Sequence, residues 1–201
     1  MAAVVAPTRR YSIHDLDQFP NDGRLRELVD GQIVEWDVTT YRHAFIEAAL
    51  VEYIRRFVRE RRLGRVVSGE GMVRIGGSEY DARGADLAFY RRGRNPRDID
   101  AAATVLAPDF VVEVLSPSDR AALVEAKVDD WLRIGVRLLW YVNPETGTTT
   151  VYAGGGIQRV AATAILGAGD VVPGLQVRLQ DLLDELMEDD DNDGAEEERL
   201  P

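Results

Sequence analysis

The run Pro108-Asp109-Phe110-Val111-Val112-Glu113-Val114-Leu115-Ser116-Pro117 constrains the fold more than any other stretch. It is apolar on both faces apart from Glu113, which is the pattern of a central strand covered on both sides. An amphipathic helix is expected to follow over 119–134, with Ser118 as its N-cap and Gly135 closing it, and then a further strand over 137–142. Strand, helix and strand in that order define an α/β architecture.

The rest of the pattern agrees. Residues 24–29 and 32–36 flank Asp30-Gly31 and predict a β-hairpin with a primed turn. Thr39 or Thr40 can cap a long helix over 41–62 that stops at Gly64, and strands follow at 65–75 and 85–90. Strands at 149–152 and 157–162 and a last helix over 179–187 complete the order ββ-α-ββ-β-α-β-ββ-α, an α/β sandwich with a mixed β-sheet flanked by helices. The expected organisation is a flexible N-terminal arm over 1–11, one domain over 12–187 and an acidic, disordered tail over 188–201.

Composition narrows the chemistry. A length of 201 residues suits one domain with a real core. Absence of cysteine removes disulfides, thiolate metal sites and cysteine nucleophiles. No apolar run is long enough to span a bilayer and residues 1–10 lack the apolar core of a signal peptide, so a cytoplasmic location without membrane contact is the expectation. The net charge of −11 is concentrated, because residues 184–199 hold ten acids and a single arginine. Such a run usually stays solvated, and the body of the chain is close to neutral.

Of the 24 basic residues only Lys127 is a lysine. At about 100° per residue it falls inside the apolar arc of its helix with Leu123, Val124, Trp131 and Ile134. An inward ammonium needs a partner or must snorkel to solvent. Glu113, the one charge in the central strand, is the candidate partner; a simple ion pair is one reading and a metal ligand another. Asp86, expected to begin the strand Ala85–Tyr90, supplies a third member. Two carboxylates on neighbouring strands can hold a hard divalent cation such as Mg²⁺, and a nearby lysine can orient or deprotonate a water for attack on a phosphodiester.

On these residues the chain resembles the Uma2 family (DUF820), endonucleases of the PD-(D/E)XK superfamily. The resemblance is carried by Arg26-Glu27-Leu28-Val29-Asp30-Gly31-Gln32, His43, Asp86-Leu87-Ala88-Phe89, the run 108–120, Lys127, and 135–144, and spans roughly residues 12–183. Leu115 stands where the general superfamily pattern has its lysine; in the Uma2-like pattern the lysine has moved to the following helix, as Lys127 has. Gly84-Ala85 and Asn143 depart from the family's usual Arg-Pro and Asp. The resemblance implies a restriction-endonuclease-like sandwich and metal-dependent hydrolysis of DNA. It implies Asp86 and Glu113 as ligands of Mg²⁺ or Mn²⁺, Lys127 as base or water-orienting group, Glu27 and His43 as further catalytic-site members, and a homodimer. The alternative is an inactive nucleic-acid or protein-binding module that keeps the fold.

The residues themselves leave His43 and Glu27 open. His43 points with Ile46, Leu50 and Ile54 and reads equally as a structural histidine, while Glu27 opens a hairpin strand and reads equally as an exposed strand end. Arg55, Arg59 and Arg62 fall on the opposite face of the long helix and read as a solvated stripe balanced by Glu52 and Glu60; the loop arginines Arg91, Arg92, Arg94 and Arg97 are the better phosphate contacts.

Overall fold

A computed structural model describes residues 9–192 apart from 21, 23, 38, 98 and 99. Among these residues the elements run β1 (Arg26–Val29), β2 (Gln32–Glu35), α1 (Tyr41–Glu60), β3 (Gly64–Arg74), β4 (Ala82–Arg91), β5 (Phe110–Val114), α2 (Ala121–Arg133), β6 (Leu138–Asn143), β7 (Thr148–Ala153), β8 (Gly156–Ala161), β9 (Ile165–Gly167), β10 (Gln176–Arg178) and α3 (Leu179–Asn192), with 3-10 turns at Ile13–Gln18 and Ile75–Gly77. The expected α/β sandwich is present. Eight strands form one mixed sheet in the order β2-β1-β4-β5-β6-β7-β8, with β3 paired to β4, and β9 and β10 form a separate ribbon.

The alternation of β5 sets the layers. Phe110, Val112 and Val114 face a core shared with Ile46, Leu50, Ile54 and Val58 of α1 and Leu179 and Leu182 of α3. Val111 faces the other way, onto Val128 and Trp131 of α2. Phe110 meets Trp140 edge-on at 4.8 Å between ring centroids, tying β5 to β6, its parallel neighbour. Asp30 and Gly31 take positive φ (48° and 74°), as a primed hairpin turn requires. Thr40 caps α1, its Oγ1 accepting from the His43 amide at 3.2 Å.

Three expectations are corrected. Strand β4 begins at Ala82, so Asp86 lies inside it; Arg83 disguises the strand but is buried between Glu27 and Asp130. Helix α2 begins at Ala121 and Ser118 caps nothing, because the Asp119 carboxylate accepts the Ser116 amide (2.8 Å) in a turn ahead of the helix. Helix α3 continues to Asn192, past the expected helix end at 187, since extending an established helix is cheap. Ahead of the hairpin, the Tyr11 amide donates to the Gly31 carbonyl at 2.8 Å. Residues 1–8 and 193–201 lie outside the described residues.

Gly64 does not stop α1. That helix ends through Arg62 at φ 53°, and Gly64 opens β3 where a Cβ would sit 2.1 Å from the Tyr90 carbonyl oxygen. Gly64→Ala therefore forces the β3–β4 ladder apart at its end. A loss of about 2–3 kcal/mol or more is expected, read from the midpoint of urea unfolding.

Burial pushes the Tyr90 phenol up to about 12. The unfolded chain releases this proton near pH 10 while the folded one retains it, so the stability present below pH 10 is lost as pH rises through 12. The loss amounts to about 2–3 kcal/mol. Tyr90→Phe should lose correspondingly less stability between pH 9 and pH 12 in paired denaturation curves.

Candidate active site

The site forms where the sheet forks. Strand β4 pairs with β1 only at Ala82, opposite Leu28, and with β5 only at Leu87–Phe89. Between these points β1 and β5 diverge, and β3 carries a bulge between Ser68 and Gly71 opposite the same segment. Ala85 packs on the α2 side while Leu87 and Phe89 pack on the α1 side, so the facing of β4 slips around Asp86. A fork strands backbone N–H groups that must find acceptors when buried. Two carboxylates supply them: Asp86 Oδ2 accepts from the Val114 amide at 2.6 Å, and Glu27 Oε1 from the Gly84 amide at 3.0 Å.

Helix α2 closes one side. Lys127 is buried, as its helical phase predicts, and its Nζ lies 2.9 Å from Glu113 Oε2 and 3.1 Å from Glu27 Oε1. Trp131, one turn on, donates to Glu113 Oε1 at 2.8 Å. Glu27 is fully enclosed and accepts in addition from Trp36 Nε1 (2.8 Å) and Arg83 Nη1 (3.0 Å). Arg83 reaches on to Asp130 at 2.7 Å. Asp130, Arg83, Glu27, Lys127 and Glu113 thus form a chain of alternating charge linking α2 to β1, β4 and β5. Burial pushes the Glu113 carboxyl up, Lys127 opposes the rise and the Asp86 charge adds to it.

Helix α1 closes the other side. His43 is buried in its first turn, with Nδ1 against Ser116 Oγ at 3.1 Å and Nε2 at 3.7 Å from Glu47 Oε2 and 3.9 Å from Asp86 Oδ2. Burial disfavours the charged ring, but the carboxylates of Glu47 and Asp86 outweigh it and hold its pKa above the usual histidine value. Asp119, on the rim, is raised by burial.

Asp86, Glu113, Lys127 and His43 line one pocket with Trp36, Asp119 and Tyr141, and Glu27 backs Lys127 from beneath. All five side chains singled out from the sequence are therefore neighbours. The sequence pattern did not single out Glu47, Arg83, Ser116, Asp119 or Trp131. Glu47 was findable, since it lies four residues after His43 on the same helix face; Arg83 was not, because nothing local marks a buried arginine.

The lining is acidic. Asp37, Asp86, Glu113 and Asp119 face it against Lys127 as the one lysine or arginine. Such a pocket repels a phosphodiester unless a cation offsets the acids, and its oxygen donors suit a divalent ion. The donor set therefore fits a hard metal.

Acids and a lysine gathered at a fork in a helix-flanked mixed sheet define an α/β protein with a buried polar site on its sheet. The family model for Uma2, described as "Putative restriction endonuclease", matches residues 13–182, and the chain belongs to that family. Among solved structures it is similar to one from Anabaena variabilis ATCC 29413 described as "a putative nuclease belonging to DUF820". The TM-score is 0.75 at 21% identity, over 87% of this chain and 98% of that one. A search of curated proteins finds no match. The family match indicates a restriction-endonuclease-like nuclease, and the structural likeness shows the fold. No helix among the described residues is long and apolar enough to cross a membrane.

Proposed function

We propose that the protein is a metal-dependent endonuclease that hydrolyses phosphodiester bonds in DNA. The observation that carries the reading is the convergence of Asp86, Glu113 and Lys127 on one acid-lined pocket at the fork between β1 and β5. Asp86 and Glu113 would hold Mg²⁺ or Mn²⁺, which when bound supplies Lewis-acid activation of water and neutralises charge developing on the phosphate. Lys127 Nζ is a donor held between two carboxylates, so its role is to orient the attacking water or a phosphate oxygen by donating to it. Glu27 positions that ammonium, and His43 closes the pocket over Asp86.

Substrate contact falls to arginines outside the pocket. Arg94 is pinned to Asp109 at 2.6 Å and to the Ala107 carbonyl at 3.1 Å, which spends one of the loop arginines on structure. Arg55, Arg59, Arg62, Arg65 and Arg92 instead share an open groove between α1 and β3. Arg55 and Arg59 also line the adjoining groove that reaches Glu47, one turn from His43. A basic track of this kind suits a phosphate backbone.

The test is cleavage of supercoiled plasmid by the pure full-length chain with Mg²⁺ or Mn²⁺, against EDTA. Cleavage that needs the metal and is lost in Glu113→Gln supports the reading. Linear rather than nicked product would further support a homodimer acting on both strands. No cleavage of DNA with either ion would sink it. One observation favours a second reading: both Glu113 oxygens already accept hydrogen bonds, from Lys127 and Trp131, as in a purely structural ion pair. A binding module that has kept the fold would retain DNA without cutting it, and Asp86→Asn would leave retention unchanged.

A further inference from the structure

Among the described residues, one group of three acidic or histidine side chains brings its ligand atoms within 4.8 Å of one another, and it comprises His43, Glu47 and Asp86. His43 and Glu47 stand four residues apart on α1, so the helix presents both on one face towards β4. The His43 ring is nine-tenths buried or more, and its Nε2 has no hydrogen-bond partner. That nitrogen points at two carboxylates, 3.7 Å from Glu47 and 3.9 Å from Asp86.

Those separations suit a shared metal better than a close ion pair. A protonated ring paired to either acid would close to about 2.7–2.9 Å on it. Donors bound to a common metal at about 2.1 Å and roughly right to tetrahedral angles stand about 3.0–3.4 Å apart, and two near-equal gaps slightly wider than this need only small side-chain shifts to close. The other ring nitrogen meets Ser116 Oγ at 3.1 Å, and Ser116 is held in turn by Asp119 through its amide at 2.8 Å. A second partner that fixes ring orientation is the outer support that metal-bound histidines ordinarily have.

We propose that Glu47 is a metal ligand and that, with His43 Nε2 and Asp86, it forms an imidazole–dicarboxylate site selecting Mn²⁺ over Mg²⁺. The inference rests on the metal-dependent reading above and adds to it both a ligand and a selectivity. Imidazole nitrogen is a poor ligand for Mg²⁺ and a good one for first-row transition ions, so the nitrogen is what separates the two cations.

The experiment is calorimetric titration of the full-length chain with Mn²⁺ and separately with Mg²⁺. Wild type is compared with Glu47→Gln, His43→Gln, Asp86→Asn and Glu113→Gln, each first shown to melt as wild type does. The expected result is at least tenfold weaker Mn²⁺ binding in Glu47→Gln, and a narrower Mn²⁺/Mg²⁺ ratio in His43→Gln. The chain has two histidines, so proton NMR of the wild type gives an independent readout. Substoichiometric Mn²⁺ should broaden the ring signals that His43→Gln removes. Wild-type Mn²⁺ affinity in Glu47→Gln, with loss in Asp86→Asn and Glu113→Gln, overturns the inference and leaves the metal-dependent reading standing. Absence of any divalent binding to wild type overturns both. The predicted Mn²⁺ binding without cleavage of any DNA upholds the site and removes the nuclease.

Discussion

Lys127→Met is expected to abolish metal-dependent cleavage, by about 10²-fold or more, in a protein that remains folded. Methionine fits the apolar arc of α2 beside Val128 and Trp131, and no other lysine or arginine lines the pocket. The fold survives because neither acid loses all its partners. Glu27 retains Arg83, Trp36 and the Gly84 amide, and Glu113 retains Trp131. Removing one member of a buried pair still costs about 3 kcal/mol, within the reserve of an ordinary domain. Circular dichroism and urea unfolding at the assay temperature establish the folded state; initial rates on plasmid then read the chemistry. Cleavage at the wild-type rate would remove Lys127 from the mechanism and leave it as the structural half of an ion pair. Lys127→Arg separates charge from shape, since a guanidinium restores the charge but not the compact reach of an ammonium between two carboxylates.

Glu27→Ala carries the largest stability effect expected in the molecule. Its carboxylate is wholly enclosed and accepts from an indole, a guanidinium, a backbone amide and an ammonium within 3.1 Å. Truncation leaves those donors facing a void and takes a counter-charge from both Arg83 and Lys127. Breaking a buried pair in this way costs about 3–5 kcal/mol, and the stranded Gly84 and Trp36 donors add to it. Against a total of about 5–15 kcal/mol, much of the population would be unfolded on mild heating. Glu27→Gln keeps one acceptor and should lose less. Chemical denaturation of the three proteins gives the ordering directly, and a change below about 1 kcal/mol for Glu27→Ala would show that the network is not what holds the fork together.

Legibility from sequence divides by range. The hairpin at Asp30-Gly31, the Thr40 cap, the doubly covered strand β5 and the inward phase of Lys127 were all readable, because each is written within one turn or one strand. Pairing Glu113 with Lys127 needed one further step, that two inward charges of opposite sign in an apolar setting must meet. The start of β4 was misread because Arg83 looks like a loop residue until Glu27 and Asp130 are placed around it, from 56 and 47 positions away. The false Ser118 cap failed in the same way at shorter range, where Asp119 competed for the turn.

The inward faces of α1, α2 and β5 are written along the chain, since hydrophobic period and local capping depend on neighbouring residues. How those side chains meet is a matter of long-range packing. The fork between β1 and β5, the two amides it leaves for Asp86 and Glu27, and the approach of Glu47 and His43 to Asp86 arise from strand pairing and helix docking between distant segments. Such contacts are set by the free energy of the whole packed sheet, which no local stretch of residues encodes.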